Sequence, residues 1–326
     1  MTDARTPLVS ILIRSMDRPT LERALDCAAA QTWSDIEIVV AAASGGSHRA
    51  LPALWKGRAL RLVHGADGQP LARAEAGNVC LEAAHGEWLN FLDDDDELLP
   101  EHVAILLAAP RTRGERLVYA RTRVIDDEGN LTGHCGIDSP PIEFFYENLT
   151  TTCGTLLHRS LVDDGARFDP DFTVYEDHDF FINCAGRTPM RFVDAATSVW
   201  HARAGESGSA PGQELDPHGR EALTRRLRGK WNLLFDRWAR EPNALAHAGQ
   251  RNLKNNRLEA AVGLLDLAVE LFPDDINALN LCGMAHHYSG HAARAQSLLE
   301  RAVQRLPQHA GLRQNLELVR ARRRAH

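Results

Sequence analysis

Four short apolar segments, rich in β-branched residues and spaced by turn-like or helix-like stretches, restrict the first hundred residues to a layered α/β fold. Val9-Ser10-Ile11-Leu12-Ile13 reads as a buried strand, 36–40 as a second, Leu60-Arg61-Leu62-Val63 as a third and 87–92 as a fourth. Pro19 stands where a helix can start, and Leu21, Leu25 and Ala28 form an apolar stripe behind it. A further helix covers 71–84. This βαβαβα order implies a Rossmann-like, mostly parallel sheet with helices on both faces. Ligands of such sheets bind outside the carboxyl ends of the strands. Ser15-Met16-Asp17 and the run Asp93-Asp94-Asp95-Asp96 both fall at such ends.

Beyond residue 110 the pattern loosens. Residues 118–125 and the segment from Leu131 onward predict a hairpin across Asp127-Glu128-Gly129-Asn130. Residues 152–157 predict a strand, 176–185 a helix and Ser198-Val199-Trp200-His201 a short strand. The Gly-, Ser- and Pro-rich stretch 204–219 reads as a loop, either a linker or an active-site flap.

The rear of the chain repeats itself. Asn243-Ala244-Leu245 recurs as Asn277-Ala278-Leu279, and Gly249, Ala261, Leu265, Ala268 and Pro273 recur as Gly283, Ala295, Leu299, Ala302 and Pro307. Every pair has the same offset of 34 residues, the tetratricopeptide period of paired antiparallel helices. Small residues stand where the helices must pack closely, and a proline ends the second helix. Helices over 218–240 and 312–323 are expected to cap the array. The domains are therefore expected as 1–205, a linker and connecting helix over 206–241, and an all-α repeat domain over 242–326.

Charge follows the same division. Residues 1–217 hold 19 Lys and Arg against 34 Asp and Glu, and the remainder 18 against 10. An acidic front half disfavours nucleic acid and suits a divalent cation. The basic rear half suits solvated helix faces, an acidic partner or an anionic membrane surface. The six cysteines are scattered without a CxxC pair, which argues for reduced thiols and against a zinc ribbon. The apolar run at residues 8–13 is too short for a signal-peptide core, and no stretch reaches the ~18 apolar residues of a membrane span. The expectation is a cytoplasmic protein, at most peripheral at the inner membrane face.

Four consecutive aspartates repel one another unless they are solvated or share a cation. In an open loop they would need no ligand. At the end of an apolar strand they suit a hard divalent ion, Mn²⁺ or Mg²⁺, with coordination positions left for a diphosphate.

Residues 7 to about 205 resemble the family 2 glycosyltransferases of the GT-A fold. The resemblance rests on Arg14-Ser15-Met16-Asp17-Arg18-Pro19 after the first strand and on Ala72-Arg73-Ala74-Glu75-Ala76-Gly77-Asn78. It continues through Gly86-Glu87-Trp88-Leu89-Asn90-Phe91-Leu92-Asp93-Asp94-Asp95-Asp96, like a DxD segment, and through Phe168-Asp169-Pro170 leading to Glu176-Asp177-His178-Asp179. It implies transfer from a nucleotide-diphosphate sugar, with inversion, to a glycan, lipid-linked or protein acceptor. It implies Asp95 as metal ligand, Asp93 on the ribose or the metal, and His201 on the metal or the diphosphate. Arg73, Asn78, Ser15 and Asp17 would lie near the donor, and Asp177 would be the general base. Each has a plainer reading: Asp177 as a helix N-cap, Arg73 as a solvated residue, His201 as a packing residue.

One position departs from the family. Its members commonly carry an acidic residue after the second strand, for the nucleotide base, where this chain has Ala41-Ala42-Ala43-Ser44. Either backbone groups with Ser15 or Asp17 hold the base, or the base is not uracil, or donor binding is weak or lost. Two other functions compete. A degenerate transferase could serve as a scaffold through its repeats, though the retained Asp93, Asp95 and Asp177 oppose that. A nucleotidyltransferase would need a glycine-rich phosphate loop, and 14–18 has no glycine.

Overall fold

The computed structural model describes residues 6–202 and 217–324. The chain divides into two compact units, Met1–Asp138 with Asn148–Arg225, and Ser139–Glu147 with Arg226–His326. The short segment 139–147 thus belongs with the helices that follow it by eighty residues or more of sequence.

The strands of the first unit are β1 (Val9–Ser15), β2 (Ile36–Ala42), β3 (Leu54–Trp55), β4 (Arg58–Val63), β5 (Trp88–Asp93), β6 (Glu97–Leu98), β7 (Leu117–Ile125), β8 (Leu131–Cys135), β9 (Thr155–His158) and β10 (Met190–His201). They form one sheet in the order β3-β4-β2-β1-β5-β9-β7-β10-β6, with β8 paired to β7. Strands β4, β2, β1 and β5 run parallel, as the βα alternation predicts. Strand β9 then enters antiparallel between β5 and β7, and β10 returns parallel to β7. Helices α1 (Leu21–Ala29), α2 (Arg73–Ala83), α3 (His102–Ala108), α4 (Ser160–Asp163) and α5 (Glu176–Ala185) complete the unit. Strands β1 and β2 are buried at every position, which is why they read as unbroken apolar runs.

The short strand expected at 198–201 is the end of a twelve-residue strand. Arg191 and Asp194 hide its beginning in the sequence, and its pairing with β7 shifts register twice, between Val193 and Ala196 and again before Ser198. The helix expected over 218–240 is two, α6 (Pro217–Lys230) and α7 (Asn232–Ala239). They break at Trp231, whose φ of −113° and ψ of 27° leave the helical region. The Gly/Ser/Pro-rich stretch lies outside the described residues over 203–216.

In the second unit, α8 (Ala244–Lys254), α9 (Leu258–Leu271), α10 (Ile276–Tyr288), α11 (Ala292–Arg305) and α12 (Ala310–Arg324) follow one another. The bounds of α9 and α11 are related by the 34-residue offset at both ends. The packing recurs with it: a Cβ on Gly249 would collide with Leu265, and one on Gly283 would stand 2.7 Å from Leu299 Cγ. Segment 139–147 packs Phe145 edge-on to Phe235 at 5.2 Å, while Arg251 pairs with Glu143 at 2.5 Å and Glu147 at 2.9 Å. Among the described residues, no helix is long and apolar enough to cross a membrane.

Candidate active site

The site forms where β1 and β5 end and α5 begins. Parallel pairing sets Arg14 of β1 beside Ala41 of β2 and Asp93 of β5. An edge-on contact of Phe91 with Phe168 (5.2 Å) and a stack of Phe168 on Phe180 (4.1 Å) tie α5 to β5. Gly77 of α2 admits the Phe168 ring, since a Cβ there would stand 2.8 Å from two ring carbons. The first turn of α5 therefore meets the strand ends.

Arg14, 7% exposed, is the hub. Its Nε and Nη2 donate to the two Asp93 oxygens at 2.8 Å each, and Nη1 donates to Glu176 Oε1 at 3.0 Å. Burial opposes the charge on Arg14, but the carboxylates outweigh it and hold the group protonated. Burial likewise opposes ionisation of Asp93, and Arg14 overrides it, so that Asp93 stays below the usual carboxylate range. Sequence reasoning gave Arg14 and Glu176 no role. The available signal was a cation closing an otherwise apolar strand.

The acidic run divides four ways. Asp94 is fully buried and accepts from Met16 N–H (2.7 Å), Arg18 Nη1 (2.5 Å) and Ser15 Oγ (3.1 Å), fixing the loop after β1. Asp96 is buried and accepts the His201 N–H at 3.1 Å. Burial and the neighbouring Asp93 and Asp95 push its carboxyl well above the usual range. Asp95 keeps 18% of its side chain exposed. Burial first, then repulsion by Asp93, raises its carboxyl, and Arg18 at 3.5 Å offsets only part of that. Asp95 thus presents negative potential that its protein neighbours do not balance, which is the chemistry a divalent cation fits.

The other predicted residues are placed as follows. Asp177 sits in the first turn of α5, which Tyr175 caps from the left-handed region at φ 59°. Asp177 is therefore not the N-cap. Its Oδ2 accepts from Asn148 Nδ2 at 3.1 Å, and its Oδ1 accepts the His178 N–H at 2.8 Å. Burial raises its carboxyl; Arg14 and Arg73 lower it less than burial raises it. Arg73 is exposed at the start of α2, close enough to Asp93, Glu176 and Asp177 to favour their charged forms. Asn78 turns both ends of its amide to the Phe168 backbone, at 2.9 and 3.0 Å, and so braces the segment leading to α5. Ser15 is buried and bonded to Asp94 and to His48 Nε2 (2.9 Å). Asp17, at φ 62°, accepts the Arg49 N–H at 2.9 Å.

His201 stands at the end of β10. Its Nε2 lies 2.7 Å from Glu97 Oε1. Asp93, Asp95 and His201 are not gathered into one ligand cluster among the described residues. Strand β10 runs antiparallel to β6 with Val199 opposite Glu97, and His201 follows two residues further along the same strand. Ala41 and Ala42 are fully buried, so their methyl groups are packing surface.

The model of the family described as "Glycosyl transferase family 2" matches residues 10–160, which hold Arg14, Arg73 and the acidic run. No curated protein matches the chain. Among solved structures, S. aureus TarS aligns at a TM-score of 0.52 and 15% identity, over 96% of this chain and 54% of its own. The chain thus spans about half the length of that protein. S. aureus TarS 1–349 in complex with UDP-GlcNAc aligns at 0.50 and 12% identity, over 93% of each chain. At these identities the likeness is one of fold: a GT-A-like domain followed by a helical region. The family match thus falls in the N-terminal unit, apart from residues 139–147.

Proposed function

We propose that the protein is a metal-dependent, inverting glycosyltransferase that moves a sugar from a nucleotide-diphosphate donor to an acceptor hydroxyl on a glycan, lipid-linked carrier or protein. One observation carries the reading. Arg14 pairs with Asp93 at the strand end and with Glu176 in the first turn of α5, and beside that pair stand Asp95 and Asp177, whose carboxyls burial raises as it does that of Glu176.

Asp177 is the base. Its Asn148 hydrogen bond orients the carboxylate, which accepts the proton of the acceptor hydroxyl as that oxygen attacks the anomeric carbon. Attack opposite the leaving nucleoside diphosphate inverts the centre. Arg73 faces the diphosphate, and the 15–18 loop pinned by Asp94 lies under the nucleotide. Asp95 would hold Mn²⁺ or Mg²⁺, which supplies electrostatic stabilisation of the leaving diphosphate when bound. In this reading Asp93 reaches the ribose or the metal from its Arg14 clamp, and His201, held by Glu97, would reach the metal or the diphosphate. Asn78 acts as a brace.

The transferase domain is taken as 1–205, joined through 206–241 to two tetratricopeptide repeats over 242–326. Helices α8 to α11 would bind a protein partner or the acceptor. We place the protein in the cytoplasm, at most peripheral at the membrane.

A second reading, a degenerate transferase acting as a scaffold, draws on the buried Ala41 and Ala42. Calorimetric titration of the protein with a panel of nucleotide sugars, with and without Mn²⁺, separates the two. Metal-dependent binding of one donor, lost in Asp95→Asn, supports the transferase. No binding by any donor supports the scaffold.

A further inference from the structure

In the helical unit, α9 and α10 bring together three side chains of different ligand chemistry. Asp266 of α9 faces Cys282 and His286 of α10, and their ligand atoms all lie within 4.8 Å of one another. Cys282 and His286 are four residues apart and share one helix face. Cys282 Sγ is 3.4 Å from Asp266 Oδ1, and His286 Nε2 is 3.1 and 3.2 Å from the two carboxylate oxygens. Both α10 residues are buried, and Asp266 is half-buried.

The far side of the imidazole is also arranged. His286 Nδ1 lies 3.1 Å from His291 Nδ1, at the start of α11. With the proton on His286 Nδ1 and donated to His291, the Nε2 lone pair points at Asp266 and Cys282. Such an outer hydrogen bond fixes the tautomer of metal-ligating histidines. We propose that Asp266, Cys282 and His286 form a Zn²⁺ site that ties α9 to α10.

One thiolate, one imidazole and one carboxylate select Zn²⁺ over the oxygen-seeking Mg²⁺ and Mn²⁺. Zinc–ligand bonds of about 2.0–2.3 Å in a tetrahedron separate the ligand atoms by roughly 3.3–3.8 Å, so small side-chain adjustments suffice. A water takes the fourth position. Burial and Asp266 push the Cys282 thiol up to about 12 in the metal-free protein, so binding displaces its proton to solvent. The exposed Arg294, 3.6 Å from Asp266 Oδ1, swings aside as the cation replaces it.

The test is titration of the reduced, chelator-treated, full-length protein with Co²⁺ and then Zn²⁺. The expected result is one thiolate-to-cobalt charge-transfer band, abolished by one equivalent of Zn²⁺, with a rise in Tm. Cys282→Ser and Asp266→Asn lose the band, whereas Asp95→Asn keeps it, because an ion held by oxygen atoms alone gives no thiolate transition. His291→Phe keeps the ligands and is expected to weaken Zn²⁺ binding about 10–100-fold. Absence of the band in the wild-type protein would overturn the proposal, as would its persistence in Cys282→Ser shown by circular dichroism to be folded.

Discussion

Arg14 and Asp93 lie directly opposite each other on adjacent parallel strands and are joined by two hydrogen bonds of 2.8 Å. Sheet register thereby delivers a fork-to-fork ion pair to the mouth of the site. The third donor of the same guanidinium holds Glu176, so one side chain couples β1, β5 and α5.

Removing that hub leaves two carboxylates without their counter-charge. Arg14→Met is expected to destabilise the fold by about 3–5 kcal/mol, the usual effect of breaking a buried pair from one side. Arg14→Lys keeps the charge but not the fork, and is expected to fall between the two. Urea-denaturation midpoints of the three proteins give the order.

The aromatic brace behind the site predicts a second effect. Gly77→Ala puts a methyl group against the Phe168 ring, which is already stacked on Phe180. A loss of about 1–3 kcal/mol is expected, the range for overpacking. Gly263→Ala, in a helix with nothing within 4 Å, is the control and is expected to be neutral or slightly stabilising. Thermal melts of the two variants provide the comparison.

His102 predicts how stability follows pH. The ring is fully buried with Nδ1 2.8 Å from Thr197 Oγ1, and burial lowers its pKa from 6.5 to about 3. The unfolded chain takes up this proton before the folded one does. The histidine's contribution is therefore intact above about pH 6.5 and is lost progressively as pH falls toward 3, by a few kcal/mol at most. His102→Gln should flatten this part of the stability profile, measured by denaturant titration between pH 7 and 4.

Much of this architecture is legible in the sequence. Strands β1 and β2 are buried at every position and β5 at all but Asp93, so their apolar runs stand out, and α9 and α11 begin and end with one offset of 34 residues. What escapes is set by tertiary pairing. The first half of β10 carries charges that mask it, and the break at Trp231 is marked only by Gly229, a residue that helices tolerate at a cost. Within the site, the residue types are readable but their partners are not. Nothing in the acidic run says that Asp94 faces inward to the 15–18 loop while Asp95 faces out, and nothing near His201 announces Glu97.

As the proposed base, Asp177 sets the expected pH dependence of turnover. Its carboxyl is raised from the ordinary 3.8 by burial, and only the ionised form can accept a proton. The acid limb of kcat/KM is expected above that ordinary value. Asn148→Ala, which removes the orienting amide, is expected to lower kcat more than it changes KM.

We propose that Asp95 and Asp177 serve one transfer reaction. The most direct test is release of nucleoside diphosphate from a panel of nucleotide sugars by the purified protein with Mn²⁺, set against a chelated sample and Asp177→Asn. One donor should be turned over only with the metal, and the variant should bind it but turn it over about 10²–10⁴-fold more slowly. Undiminished turnover in Asp177→Asn, or no release from any donor with the metal present, would rule out this assignment of Asp95 and Asp177.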